Sequence, residues 1–587
     1  LRSSEQRSGE GESRWLALAS LLAIAAVGAF ALNQSWEGWL HPIIDAGRDL
    51  YIPEQLRSGT KLYRDIAYFY PPLAPYALAM ITSLAGSSLH SYALTGIVLA
   101  ALVASTMFGI ARTHSGELAA FSAGLLFVSV CMVGSSAYGS NFLFPYSHNA
   151  VFGMALFLLF EWAMVASFVN GATRGRITAA MVSGALCSLT KIEFIAFVLA
   201  TIAVGGVLAW VTRQARPGAV VRTSLVLLSG VLAAWAATWL FFLDAGGLFF
   251  ANVIPPSLLS GSVAKAFYAK VSGTDRLGYN LTLALAGGLA VCVHVILLRM
   301  LDAASRRERR SARIAATGLA LVLISGAAWF LGSDLFFRGW TLIQVCLVPF
   351  AVRDLALLRR EPARTRLAVM PLLLWFSACG TSRIWLNLAP VWYGFFLMLP
   401  VILLIVHVLF RYLPDKGVYT RRAAAMWIPL LLVIAGRNLM EQRVAYEGKP
   451  FAIESSRGTI RDYSAERASV LNEFLGYAES ARLEELVMIP EGLTVNYLAS
   501  VRNPTRYHTF TPAEMPTRES ERPIVEELAR VRPHHIAITT QEAAAFGDLH
   551  FGRDYGTEIL RFVREHYELE KEWRTSTFSL FLLRRVE

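Results

Sequence analysis

The sequence predicts an all-α polytopic membrane bundle followed by a small C-terminal α/β domain outside the cytoplasm. Three observations predict it. The 587 residues are 55% apolar and only 17% charged, against about 25% charged in an average soluble chain, and the mean hydropathy is +0.47. The apolar residues fall in blocks long enough to cross a bilayer, which takes about 20 residues each. From about residue 440 the composition turns to that of a soluble domain. A single soluble domain and a disordered chain are both excluded.

In chain order, residues 1–14 are a short cytoplasmic N-terminus and 15–439 the membrane region. Arg14 precedes an apolar run, Trp15–Leu32, that ends in Ala29-Phe30-Ala31, a pattern shared with cleavable signal peptides. The run is long for a signal sequence, and on either reading the next segment is exported. Candidate spans are 15–33, 92–111, 118–135, 150–168, 177–190, 194–211, 223–243, 281–301, 312–332, 340–356, 367–380, 390–410 and 423–439. Block 71–86 begins Pro71-Pro72, contains Pro75 and is short, so it reads as interfacial or re-entrant.

With about thirteen alternating spans, the basic loops fall on one side. They hold Arg174 and Arg176, then Arg213, Arg216 and Arg222, then Arg306, Arg307, Arg309, Arg310 and Arg313. Arg353, Arg359, Arg360, Arg364 and Arg366 follow, and then Arg411, Lys416, Arg421 and Arg422. That side is cytoplasmic by the positive-inside rule. The net charge of +11 belongs to these loops and implies no nucleic-acid partner. Residues 34–91 become one long external loop, and 440–587 an extracytoplasmic domain.

In that domain Leu486–Ile489, His535–Thr540 and Thr577–Leu583 read as strands, and Pro523–Val531 and Thr557–Tyr567 as helices. A fragment 445–587 is expected to fold alone. Cys131, Cys187, Cys292, Cys346 and Cys379 lie in or beside apolar blocks and form neither a disulfide framework nor a metal-ligand spacing. No P-loop, H-E-x-x-H or C-x-x-C occurs. No cofactor is implied, and no acidic cluster demands a metal.

Charge near a bilayer is costly, so the charges left at the external face carry information. The first loop reads His41-Pro-Ile-Ile-Asp45-Ala-Gly-Arg48-Asp49-Leu-Tyr51, then Leu56-Arg-Ser-Gly59-Thr-Lys61-Leu62-Tyr63-Arg64-Asp65, then Tyr68-Phe-Tyr70-Pro71-Pro72-Leu73. By composition it is either an interfacial amphipathic loop with a tyrosine belt or a reaction site. The second external loop ends Pro145-Tyr146-Ser-His148-Asn149, and Leu189-Thr190-Lys191 fills a short turn.

From Asp45 to Pro72 the chain resembles the first external loop of the GT-C glycosyltransferase superfamily. The likeness is to bacterial lipid-A and polysaccharide glycosyltransferases and to protein O-mannosyltransferase relatives. There, an Asp opens the loop, a Leu-x-x-Gly-x-x-Leu-Tyr-x-Asp stretch follows, and Tyr-Pro-Pro-Leu closes it. Thr190-Lys191 is a second echo. The span count with an external C-terminal domain matches the arrangement of lipid-A aminoarabinose transferases. One departure stands: protein mannosyltransferases carry Asp-Glu where this chain has Asp45-Ala46, which weighs against protein mannosylation.

The resemblance implies transfer of a sugar from a polyprenyl-phosphate donor to a lipid, glycan or protein acceptor outside the cytoplasm, and the bias of Arg over Lys points to a bacterial inner membrane. Such chemistry needs a carboxylate as general base, here Asp45, and cations where the phosphate leaves. The external cations are Arg48, Lys61, Arg64, Lys191, Lys265, Lys270, Arg338 and Arg383. Lys191 and Arg383 are favoured because short turns hold them near the bundle. Asp49, Tyr70, His148 and Asn149 are further substrate-contact candidates, His148 being equally suited to an interfacial hydrogen bond. Glu193 reads as the ion-pair partner of Lys191. The stretch 244–280, with Pro255-Pro256, Phe267-Tyr268 and Asp275-Arg276, is a cover or a plain connection. Pro490-Glu491-Gly492 and His534-His535 read as structural. Two rivals remain: a transporter or flippase of lipid-linked glycans, which would favour internal repeats and mid-membrane charge, and an O-antigen ligase or polymerase, which would favour a large loop late in the spans.

Overall fold

A computed structural model describes residues 4–134, 139–253, 261–305, 310–541, 546–547 and 549–586. Tyr138, Pro255, Pro256, Arg306, Arg307 and Arg309 lie outside the described residues, as do the side chains of Arg310 and Arg313.

Helix α1 (Ser4–Ser35) leads into the first loop, which folds as α2 (Ala46–Arg57) and α3 (Leu73–Ala85). Then come α4 (Leu89–Ser115), α5 (Glu117–Leu126), α6 (His148–Asn170), α7 (Arg174–Ser188), α8 (Ile192–Val211), α9 (Pro217–Phe241) and the short α10 (Leu248–Val253). The bundle closes with α11 (Ser262–Ser272), α12 (Leu277–Ser305), α13 (Arg310–Arg360), α14 (Val369–Thr381), α15 (Leu399–His407) and α16 (Trp427–Glu447).

The expected spans fall largely on helix, though 390–410 opens with bends and turns at 390–393. Among the described residues eight stretches are long and apolar enough to cross a membrane by length and composition, and Leu73–Ala85, Glu117–Cys131 and Thr365–Thr381 are shorter apolar helices. The chain is an integral membrane protein. At about 1.5 Å per residue, the 13 residues of α3 span about 20 Å, short of a bilayer core of about 30 Å. The turn expected between spans 312–332 and 340–356 is not a loop. The two helices meet at Gly332, where φ is +73°, and the second starts at once. A left-handed backbone of this kind is open to glycine at no steric cost.

The soluble part begins with a hairpin of β1 (Phe451–Ser455) and β2 (Gly458–Asp462), paired antiparallel with Ile453 opposite Ile460. It continues through α17 (Ala465–Ser480), β3 (Val487–Ile489), α18 (Leu493–Ala499), α19 (Arg518–Val531), β4 (His535–Thr539), α20 (Thr557–His566), β5 (Tyr567–Arg574) and β6 (Ser579–Arg585). The sheet order is β3-β4-β6-β5; β3 runs parallel to β4, and β6 is antiparallel to both neighbours. The three expected strands and two expected helices are present. Tyr567, expected at the end of a helix, instead opens β5, and the hairpin, α17 and α18 are additions.

This domain sits on the first loop and shares its core. Leu493, Val495 and Tyr497 of α18 belong to the same buried cluster as Leu50, Tyr51 and Tyr92. The Asn503 N–H donates to the Tyr51 hydroxyl (2.6 Å) and the Ala67 N–H to the Arg506 carbonyl (2.9 Å). Arg457 pairs with Glu54 at 2.6 Å. Helix α2 is therefore buried from Ala46 to Pro53. Gly47 is where the two parts come closest: a Cβ there would lie 2.1 Å from the Thr494 nitrogen.

Candidate active site

The site is built outward from the turn before α2. The His41 imidazole Nδ1 accepts from the N–H groups of Ile43 (3.1 Å) and Ile44 (3.0 Å). Burial, with Arg467 and Lys449 nearby, holds its pKa well below 6.5, so the ring stays neutral and Nδ1 can accept. The chain then reverses at Asp45, with φ +61° and ψ −66°, and the Ala46 N–H donates to the Ile44 carbonyl at 2.8 Å. That is a γ-turn of the rare, strained kind. Strain of about 1–3 kcal/mol persists only where surrounding structure enforces it, and it clusters at functional sites.

Asp45 is exposed while Ala46 to Leu50 are buried, so the turn presents its carboxylate outward from the buried loop. Crowding by protein pushes its pKa up; Arg48 pulls it down and Asp49 adds to the rise. Its charge acts on Tyr70 and Tyr393.

Asp49, one turn on, is committed elsewhere. It is 3% exposed, and its carboxylate accepts from the backbone N–H of His148 and pairs with His148 Nδ1 at 3.0 Å. It thus caps α6, whose N-terminal N–H groups have no partner within the helix. The Nε2 of His148 is buried without a partner. Asn149 is fully buried too. With its amide turned so that its oxygen accepts from the Tyr68 hydroxyl (2.6 Å), its nitrogen donates to the carbonyls of Pro71 (3.2 Å) and Thr190 (3.1 Å). His148 and Asn149 therefore stitch the first loop to α6 and to the 189–191 turn.

Arg48 lies beside Asp45, and Lys191 and Arg383 are linked to it through the rings of Tyr70 and Tyr393. Arg48 donates through Nη2 to the Tyr146 carbonyl (3.1 Å) and stacks on Phe69 and Tyr70; its buried Nε has no partner. Lys191 donates to the Tyr146 hydroxyl (2.8 Å) and pairs with Glu193 (2.9 Å). The rings of Tyr70, Tyr146, Tyr393 and Phe396 surround its ammonium at 5.2–5.9 Å. Burial lowers its pKa to about 8, with Glu193 opposing that fall. Arg383 pairs with Glu193 (2.8 Å) and lies over Tyr393 (4.3 Å) and Tyr268 (5.1 Å). The expected Lys191–Glu193 pair is present, with Arg383 as a third member. Such a group of cations over aromatic faces suits a phosphate with an apolar tail.

The other expected cations lie apart. Lys61 pairs with Asp244 (2.7 Å), which also binds Arg64 (3.1 Å), and so does not join that group. Arg338 is spent on Asp334, Asn280, Asn387 and the Leu386 carbonyl. Lys270 rests over Trp392 and Lys265 is exposed. Among the described residues no group of three His, Cys, Asp or Glu side chains is placed to hold a metal.

Sequence reasoning passed over Tyr146, Tyr393 and Phe396, whose convergence on Lys191 exists only in the fold. It set aside Glu491 as structural and did not single out Glu514. Both come from the C-terminal domain, and the charges of Asp45 and Arg48 act on both.

No family profile matches the chain, and no curated protein matches it. Among solved structures it is similar to ArnT from Cupriavidus metallidurans bound to undecaprenyl phosphate, at 14% identity and a TM-score of 0.46, covering 97% of this chain and 98% of that one. It is also similar to the apo oligosaccharyltransferase of Archaeoglobus fulgidus, at 11% identity and a TM-score of 0.46, covering 89% and 69%. The same archaeal enzyme tethered to an acceptor peptide gives 12% identity and a TM-score of 0.43, covering 97% and 74%. Likeness at this level carries no argument about chemistry, which rests on the residues above.

Proposed function

We propose that this protein is an integral-membrane glycosyltransferase of GT-C type, moving a sugar from a polyprenyl-phosphate donor to an acceptor hydroxyl on the extracytoplasmic side of a bacterial inner membrane. The observation that carries the reading is the Asp45 turn: of the acids at positions 45, 49 and 65, Asp45 alone is held on strained backbone, beside Arg48 and near Tyr70 and Tyr393, whose rings also hold Lys191 and Arg383.

Asp45 takes the proton from the acceptor oxygen as it attacks the sugar C1. The bond from C1 to the phosphate oxygen breaks, and Arg48, Lys191 and Arg383 stabilise the charge left on the lipid phosphate. The aromatic faces of Tyr70, Tyr146 and Tyr393 exclude water and suit the sugar ring and the first isoprene units. Asp49, His148 and Asn149 keep α6 and the first loop in register.

Asp45→Asn keeps the size of the side chain and removes the base. Transfer by purified protein supplied with polyprenyl-phosphate sugars should fall about 10²–10⁴-fold, or about 3–5 kcal/mol of transition-state stabilisation, with donor binding retained. Asp65→Asn, on the Lys61–Arg64 side, should leave transfer near normal. Near-normal transfer by Asp45→Asn would sink the reading and favour the transporter.

A further inference from the structure

We propose that Glu491, carried by the C-terminal domain, is a positioning residue of the Asp45 centre, holding the strained turn and its carboxylate in the reactive arrangement. The inference rests on the reading of Asp45 as the base.

Geometry comes first. Glu491 lies between the end of β3 at Ile489 and the start of α18 at Leu493. The loop is pinned from both sides: the Phe510 N–H donates to the Pro490 carbonyl (2.9 Å) and the Val495 N–H to the Gly492 carbonyl (2.8 Å). The start of α18 then presses on α2 at Gly47, which leaves the loop directly over the turn at residue 45. The Glu491 carboxylate lies against the backbone N–H of Asp45. Its Oε2 is buried without a hydrogen-bond partner. A buried carboxylate oxygen left unpaired is costly, a cost that a purely structural loop has no reason to carry.

The groups that face Glu491 are Asp45, Glu514, Arg48 and Tyr555. Glu514 is held in turn by the Thr509 hydroxyl (2.6 Å). Burial pushes Glu491 well above the ordinary carboxylate range; Asp45 and Glu514 add to the rise and Arg48 opposes it. Beside an ionised Asp45, a Glu491 that keeps its proton is a hydrogen-bond donor rather than a second base. Acids driven to different protonation states by their surroundings take different roles.

The test is a double-mutant cycle, since residues that act through one another are non-additive. Glu491→Leu in the otherwise native, full-length protein should lower kcat tenfold or more, with donor KM within twofold, and should move the acid limb of the pH–rate profile. Glu491→Gln, neutral and still a donor, should restore part of the loss. In the Asp45→Asn background, Glu491→Leu should cost less than twofold. An equal loss in both backgrounds, or a native rate with an unmoved acid limb, overturns the inference while leaving Asp45 as base. A native rate for Asp45→Asn alone overturns the base reading first, and this one with it.

Discussion

Lys191 and Arg383 share a single carboxylate oxygen: Glu193 Oε1 lies 2.9 Å from Lys191 Nζ and 2.8 Å from Arg383 Nη1. One acid thus balances two cations, and a net positive charge is left facing the rings of Tyr146 and Tyr393. In a site shielded from bulk water such a surplus draws an anion far more strongly than the same charges on an exposed surface would.

Donor binding should therefore depend on the charge of Lys191. Its pKa of about 8 means that affinity for polyprenyl phosphate falls as pH rises through about 8. Losing a charge-assisted contact costs about 1.5–3 kcal/mol, or roughly ten- to a hundredfold in Kd. Lys191→Arg keeps the charge and should move the fall to higher pH. Titration calorimetry between pH 6.5 and 9.5 measures both, and a flat profile for the native protein would count against a Lys191–phosphate contact.

Asp45 titrates in the opposite sense. As the proposed base it works ionised, and crowding by protein raises its pKa above 3.8, so the acid limb of kcat/KM should stand above the usual carboxylate range. A raised carboxyl pKa costs stability at neutral pH, and that cost fades as pH falls through the raised value. Asp45→Asn should thus lose transfer and gain melting temperature near pH 7, without the gain at low pH. A loss of melting temperature at pH 7 would contradict the crowding cause.

Asp49→Asn should behave differently from Asp45→Asn. It removes a charged acceptor from two donors of His148, one of them at the start of α6. The expected loss is about 1–3 kcal/mol of stability, read as a lowered melting temperature in detergent, with activity recovered once the measurement is made well below that temperature. An unchanged melting temperature would mean that the cap is not needed.

His41→Leu should orphan the N–H groups of Ile43 and Ile44, for about 1–3 kcal/mol each. Because the folded pKa lies well below 6.5, the unfolded chain takes up the proton first, and the native protein loses stability as pH drops below about 6.5. The variant should lack that part of the acid sensitivity. Parallel melting-temperature profiles for the two proteins between pH 7 and 5 would refute the assignment.

Topology is checked directly. Arg64→Cys should react with an impermeant thiol reagent from outside intact cells, and Arg364→Cys only after the cytoplasmic side is opened. Both positions are well exposed. Labelling of both from the same side would reverse the parity of the spans between them.

The bundle was legible in the sequence because burial in lipid is a matter of local composition: each apolar block became helix. The first loop was legible for a different reason, namely that Asp45 to Pro72 has a recognisable order of residues. Lys191 and Arg383 stood out because short turns hold cations near helix ends. Glu491 did not, since nothing in Pro490-Glu491-Gly492 records which distant turn it meets; the one trace is Gly47, a glycine inside a helix where a side chain would otherwise be expected. Lys61 was misplaced by the same limit. It sits nearer to Asp45 in sequence than Tyr70 does, but Asp244 draws it to another part of the surface.

The contact between Tyr51 and Asn503 has a consequence for biosynthesis. The two are 452 positions apart, and α2 is buried by segments at the far end of the chain. In the proposed orientation the first loop reaches the outside early in synthesis and waits there, without its cover, until the last segment has been translocated. The proposed reaction centre is then the final part of the protein to be assembled. A ribosome stalled after the last membrane helix would leave a bundle whose first loop still lacks the segments that bury it.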